Sequence, residues 1–174
     1  MPHKYLIREF EDFVRTSSDA ESLMEYVSHR IHTHIPRYNW VGFYLTDPKN
    51  PTTLMLGPHT GSFTPNQRIS LNEGLCGTAA AIGRVVVADN VAEDPRYLQV
   101  SDMVKSQISM PLKAGGRTAG VFHIESYFLS TFGPALEREF VATCAGIVEK
   151  CLERTAALHP VAHELSMAYG AAKL

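Results

Sequence analysis

The sequence predicts an α+β domain in which one mainly antiparallel sheet carries helices. Three observations lead there: a helical apolar period through the first third, a change to strand-like alternation at Trp40, and a hairpin followed by a long amphipathic stretch. In the opening stretch Leu6, Phe10, Phe13 and Val14 share a helical face. Ser18-Asp19-Ala20-Glu21 then reads as a capping box, with Ser18 and Glu21 satisfying each other's backbone donors. Leu23, Met24, Val27 and Ile31 carry the second helix's apolar stripe to Ile35, and Pro36 ends it.

Trp40 to Leu45 is aromatic and β-branched, which predicts a strand, and Asp47-Pro48-Lys49-Asn50-Pro51 turns the chain. Leu54–Gly57 and Gln67–Ile69 are expected as short strands, with 58–65 looping between them. Gly74-Leu75-Cys76-Gly77-Thr78 reads as a glycine-flanked turn that delivers Cys76 into the first turn of a short helix. Unpaired N–H groups and a partial positive charge at that end can stabilise a thiolate. The structural alternative is a small buried hydrophobe beneath a tight turn. Arg84–Ala88 is expected as a short buried strand and 89–103 as irregular. Gln107–Leu112 and Thr118–Ser126 form a hairpin closed by Gly115-Gly116. A long helix starts at about Pro134, at its N1 position, with Leu136, Phe140, Val141, Cys144, Ile147, Val148, Cys151 and Leu152 as its apolar set. From Ala156 the chain is Ala-rich, a further short helix or a frayed end.

Composition narrows the function. At 174 residues, 45% hydrophobic and 20% charged, the chain reads as a single domain with its own core. A net charge of -2 argues against a nucleic-acid surface. No stretch approaches a membrane span, and Met1-Pro2-His3-Lys4 does not begin a signal peptide, so no membrane partner is expected. The 3 cysteines, odd in number and widely spaced, make no disulfide framework, and a cytoplasmic location is expected.

Strand alternation gathers the chemistry. Trp40 and Tyr44 share one face of the first strand, and Gln107 with Ser109, then His123 with Glu125, share the corresponding faces of the hairpin. The opposite face, with Val41, Phe43, Ile108, Phe122 and Ile124, is apolar and must lie under helices. An aromatic floor with convergent polar groups is the composition of a small-molecule pocket, covered by 90–105. The structural alternatives are half-buried strand aromatics, a histidine held by Glu125 or a backbone carbonyl, and a solvated sheet face. His29 and His32 share a helical face with His34 nearby, but no glutamate or cysteine completes a metal set, and His159 with His163 is a similarly weak pair. No metal or cofactor is expected.

Four motifs then carry a resemblance: Asn39-Trp40-Val41-Gly42-Phe43-Tyr44-Leu45, Leu56-Gly57-Pro58-His59-Thr60-Gly61, Gly74-Leu75-Cys76-Gly77-Thr78-Ala79 and Val121-Phe122-His123-Ile124-Glu125-Ser126. In this order they resemble the free methionine-(R)-sulfoxide reductases, stand-alone GAF-domain enzymes. The resemblance covers about 5–153 and leaves 154–174 as a C-terminal extension. It implies a six-stranded antiparallel sheet with helices on both sides, a pocket on one face, and a homodimer joined through the terminal helices.

The family's chemistry is a cysteine cascade: attack on the sulfoxide sulfur, a sulfenic acid, then a disulfide. Cys76 matches the family's Gly-x-Cys-Gly cysteine. The family's nucleophile position falls on Val100, and its commoner resolving cysteine falls near Asn66. Of the acidic residues that hold the substrate ammonium, one is matched by Gln107 and a pair by His123 and Glu125, so only Glu125 keeps its charge type. The expected function is therefore binding of a small molecule on the Trp40, Tyr44, Val100, Gln107, His123 and Glu125 face without redox turnover. The alternative is a reductase acting through Cys76 with an external thiol.

Overall fold

The computed structural model describes residues 2–17, 19–63 and 65–158. Six strands lie in the order β3-β2-β1-β6-β5-β4. They are β1 (Trp40–Asp47), β2 (Asn50–Gly61), β3 (Arg68–Ser70), β4 (Val86–Ala88), β5 (Ser106–Ala114) and β6 (Arg117–Ser126), and every neighbouring pair is antiparallel. Helices α1 (Pro2–Thr16), α2 (Ala20–His34) and α4 (Ala135–Leu158) cover one face, and α3 (Gly74–Ile82) lies on the other. This is the α+β architecture expected from the sequence, with six strands and helices on both sides.

The helix-covered face is the main core. Val41, Phe43, Ile108, Leu112, Phe122 and Ile124 are fully buried against Leu6, Phe10, Leu23, Val27, Ile31, Val141 and Val148. Phe43 and Phe122 are register partners whose rings stack at 4.6 Å. Burying a side chain of this size contributes roughly 1.5–3 kcal/mol. Arg30 Nε lies 2.6 Å from Glu9 Oε1 and ties α1 to α2.

Several local expectations are corrected. The helix α2 is capped by Asp19, whose carboxylate accepts from the Ser22 N–H at 3.0 Å; Ser18 lies outside the described residues. β2 does not stop at Gly57 but continues to Gly61, because a register shift between Gly42 and Tyr44 accommodates Gly57-Pro58 as a bulge. The turn after β1 is tighter than expected: Asp47 and Asn50 pair, and Asp47 Oδ1 accepts from Lys49 N–H at 2.9 Å. β4 begins at Val86, so Arg84 and Val85 stand ahead of it. Leu136 is 46% exposed and does not join the core stripe of α4, which begins with Phe140. Pro134 precedes α4, its carbonyl accepting from Glu137 N–H at 3.2 Å. The tail beyond Leu158, with His159 and His163, lies outside the described residues.

Candidate functional site

The second face of the sheet is polar at its centre because of the hairpin's register. Gln107 stands opposite Glu125 and Ser109 opposite His123, while β1 places Trp40 beside Glu125 and Gly42 beside His123. Gln107 Nε2 donates to Glu125 Oε1 at 2.6 Å, and His123 Nε2 meets the same oxygen at 3.0 Å. His123 Nδ1 lies 2.8 Å from Ser109 Oγ, and Ser109 Oγ donates to Cys76 Sγ at 3.7 Å. Each of these five residues is at most 5% exposed. Buried polar groups normally find partners, yet Glu125 Oε2 has none among the described residues.

The cysteine arrives from α3. Gly74 adopts a φ of +66°, a conformation that a side chain would strain. A Cβ at Gly77 would stand 2.2 Å from the Ser70 carbonyl oxygen, so only glycine lets the first turn lie against β3. The N-cap Glu73 makes no side-chain cap bond; its carboxylate accepts from Ser70 N–H at 3.1 Å instead. The glycines flanking Cys76 thus fix where its sulfur enters the site.

Electrostatics follow from burial and proximity. Burial alone disfavours the His123 imidazolium, but Cys76 and then Glu125 outweigh it and push His123 up to about 10. Tyr44 is pushed up by burial first, then by Cys76 and Glu125; its hydroxyl donates to the Asn66 carbonyl at 3.0 Å. Tyr97, which the sequence did not single out, is pushed up to about 12 by burial and then by Glu125.

A cavity of about 30 Å³ sits against this array, lined by Tyr44, Asn66, Ile69, Gly74, Leu75, Cys76, Leu98, Val100, Gln107, His123 and Glu125. That is room for roughly one water molecule. Leu98 and Val100 reach it from the irregular segment that follows a 3-10 turn at Val91–Glu93. Of the residues expected at the site, Tyr44, Cys76, Val100, Gln107, His123 and Glu125 come together there. Trp40 does not line the cavity. Its ring stacks with Tyr44, His59 and Phe63, because Gly42 and Gly61 leave space beside it that a Cβ would fill. Ser109 is a site residue the sequence reading passed over, although alternation had put it on the same face as Gln107. Among the described residues no group of three or more His, Cys, Asp or Glu side chains is placed to hold a metal.

Comparison with known proteins places this geometry. The GAF domain family matches residues 17–153. The chain belongs to the GAF domain family. It is 30% identical over 140 residues to the free methionine-R-sulfoxide reductase of Saccharomyces cerevisiae, covering 80% of this chain and 75% of that one. To protein YtsP of Bacillus subtilis it is 27% identical over 150 residues, 86% of this chain and 90% of YtsP. The structure of free methionine-R-sulfoxide reductase from Neisseria meningitidis superposes with a TM-score of 0.81 at 28% identity, covering 88% of this chain and 91% of the other.

Within this GAF domain the thiol inventory is uneven. Cys76 lines the cavity, whereas Cys144 and Cys151 are fully buried on α4, in the core across the sheet. None of the three is joined in a disulfide. Val100 and Asn66, at or near which the resemblance leads one to expect the nucleophile and usual resolving cysteine, both line the cavity with Cys76. Among the described residues no helix is long and apolar enough to cross a membrane.

Proposed function

We propose that this chain is a stand-alone GAF domain that binds a small polar molecule at the cavity over Tyr44, Gln107, His123 and Glu125, without reducing it. One observation carries the reading: Glu125 lines the cavity and its Oε2 is buried without a partner. A carboxylate oxygen held out of water is costly unless something donates to it, so the ligand brings an N–H or O–H group to that oxygen. Gln107 and His123 occupy the other oxygen and fix the carboxylate's orientation. A ligand larger than water enters by displacing Leu98 and Val100.

The absence of turnover is supported by the position of the thiols. A sulfenic acid on Cys76 has no second cysteine within reach, since Cys144 and Cys151 lie across the sheet. The second reading is a free methionine-(R)-sulfoxide reductase that uses Cys76 and an external thiol; the cavity position of Cys76 and the named relatives favour it. A thermal-shift screen with amino acids, nucleotides and sulfoxides tests the first reading, which predicts a saturable shift lost in Glu125→Gln. No shift with any of them counts against it. Turnover of free methionine sulfoxide that is abolished by Cys76→Ser establishes the second. The proposal extends to a cytoplasmic homodimer joined through α1 and α4, which sedimentation of the full chain tests.

A further inference from the structure

Cys76, Ser109, His123 and Glu125 form a continuous relay, and the binding function above uses only part of it. The Ser109 hydroxyl lies between sulfur and imidazole, 3.7 Å from Cys76 Sγ and 2.8 Å from His123 Nδ1. With His123 Nε2 committed to Glu125 at 3.0 Å, Nδ1 is the nitrogen left to exchange a proton. In one state the thiol donates to Ser109, which donates to Nδ1. In the other the imidazolium donates to Ser109, which donates to the sulfur. The same hydrogen bonds serve both states, so a proton can pass between Cys76 and His123 without rearrangement of the side chains.

What such a relay could act on is limited by space. The cavity of about 30 Å³ admits a molecule little larger than water. A hydroperoxide is small enough, reacts with thiolates, and has O–H groups that suit the unpartnered Glu125 Oε2. We infer that Cys76 is a hydrogen-peroxide-reactive thiol, activated by His123 through Ser109, with Glu125 Oε2 orienting the peroxide.

The step balances. Cys76 passes its proton through Ser109 to His123, and the sulfur attacks one peroxide oxygen. The S–O bond forms, the O–O bond breaks, and sulfur gives up two electrons to the peroxide. The departing hydroxide takes the proton back from His123 through Ser109, leaving a Cys76 sulfenic acid and one water. Cys144 and Cys151 are buried across the sheet, so this sulfenic acid forms no internal disulfide and awaits an external thiol. The inference rests on the cavity, the relay and Glu125 Oε2, and shares only the last of these with the ligand-binding reading.

The test treats the full-length protein with hydrogen peroxide, stops the reaction with catalase, unfolds the protein in the presence of dimedone so that the reagent reaches buried sulfur, and follows adducts on each cysteine by peptide mass spectrometry. Labelling is expected on Cys76 and not on Cys144 or Cys151, and it should be slower with tert-butyl hydroperoxide. Ser109→Ala and His123→Gln should each slow it by roughly tenfold or more, since a positioned base is worth at least that. Ser109→Thr, which keeps the hydroxyl, should restore the rate. No adduct on Cys76 in the unmutated protein overturns the inference, whether or not the variants fold. Equal rates with the two peroxides, or a rate unmoved in a folded Ser109→Ala, overturn the cavity and the relay respectively. A ligand screen without any shift would leave these outcomes untouched, so the two readings fail separately.

Discussion

Gln107 and Glu125 face each other across the β5–β6 ladder, and the Gln107 amide donates to Glu125 Oε1 at 2.6 Å. His123 meets that same oxygen at 3.0 Å, so one carboxylate oxygen carries two partners and Oε2 none. The pair works because a neutral amide stands where the resemblance places an acid.

Gln107→Glu should therefore destabilise the protein in a pH-dependent way. Two buried carboxylates in contact raise the affinity of the pair for a proton in the folded state. A raised carboxyl makes the folded state bind more protons than the unfolded one, so the variant loses stability as pH rises and regains it as pH falls. We expect a loss of about 1–3 kcal/mol at neutral pH. Thermal melts of both proteins between acid and neutral pH measure it, and a constant difference would contradict the argument.

His123 gives a second pH dependence, of the same sign but in a higher pH window. Its folded value is pushed from 6.5 to about 10, with burial opposing and Cys76 and Glu125 prevailing. Stability drawn from the imidazolium is fully present below about 6.5 and is lost as pH rises through about 10. Melting temperature should fall across that window more steeply in the unmutated protein than in His123→Gln. Cys76→Ala should flatten the slope in part, since it removes the largest contribution raising His123. Parallel slopes in all three proteins would refute the coupling.

How much of this was legible differs from residue to residue. Alternation along three strands was enough to place Tyr44, Gln107, His123 and Glu125 on one face, because a strand's period of two is rigid. The contact between Ser109 and His123 was not legible, because it depends on a register shift between Leu112 and Lys113. Alternation puts Ser109 with Gln107 on the site face, but counted back from the Gly115-Gly116 turn without that shift Ser109 would stand opposite Phe122, so its partner could not be read. Trp40 shows the same limit. Its sequence position puts it on the site face, but the space beside Gly42 and Gly61 lets the ring settle away from the cavity. The cavity is lined in part by Leu98 and Val100, from a segment with no period to read.

The Gly74-x-Cys76-Gly77 motif was legible as a turn, and its second glycine can be tested directly. Gly77→Ala would bring a Cβ to 2.2 Å from the Ser70 carbonyl oxygen, which is backbone and cannot swing aside. α3 must then move off β3, at a cost of about 1–3 kcal/mol. Urea denaturation should show that loss, and dimedone labelling of Cys76 should slow because the sulfur leaves its place beside Ser109. A variant as stable as the parent would mean the close approach is not a constraint.

Val100→Cys examines the thiol geometry from the irregular segment that lines the same cavity. Val100 and Cys76 line one cavity of about 30 Å³, so two sulfurs placed there are confined to a small common space. Disulfide formation needs the two β-carbons roughly 3.5–4.5 Å apart, and the irregular 94–105 segment can adjust more readily than a strand could. Mild oxidation should therefore join the introduced thiol to Cys76, and mass spectrometry under non-reducing conditions should find the cross-linked peptide while Cys144 and Cys151 stay reduced. The bond would tie the segment carrying Leu98 to α3 and hold the cavity shut. Any ligand whose thermal shift requires displacement of Leu98 should then lose that shift in the oxidised variant and regain it on reduction. A shift that survives the cross-link would mean that the ligand enters without moving this segment.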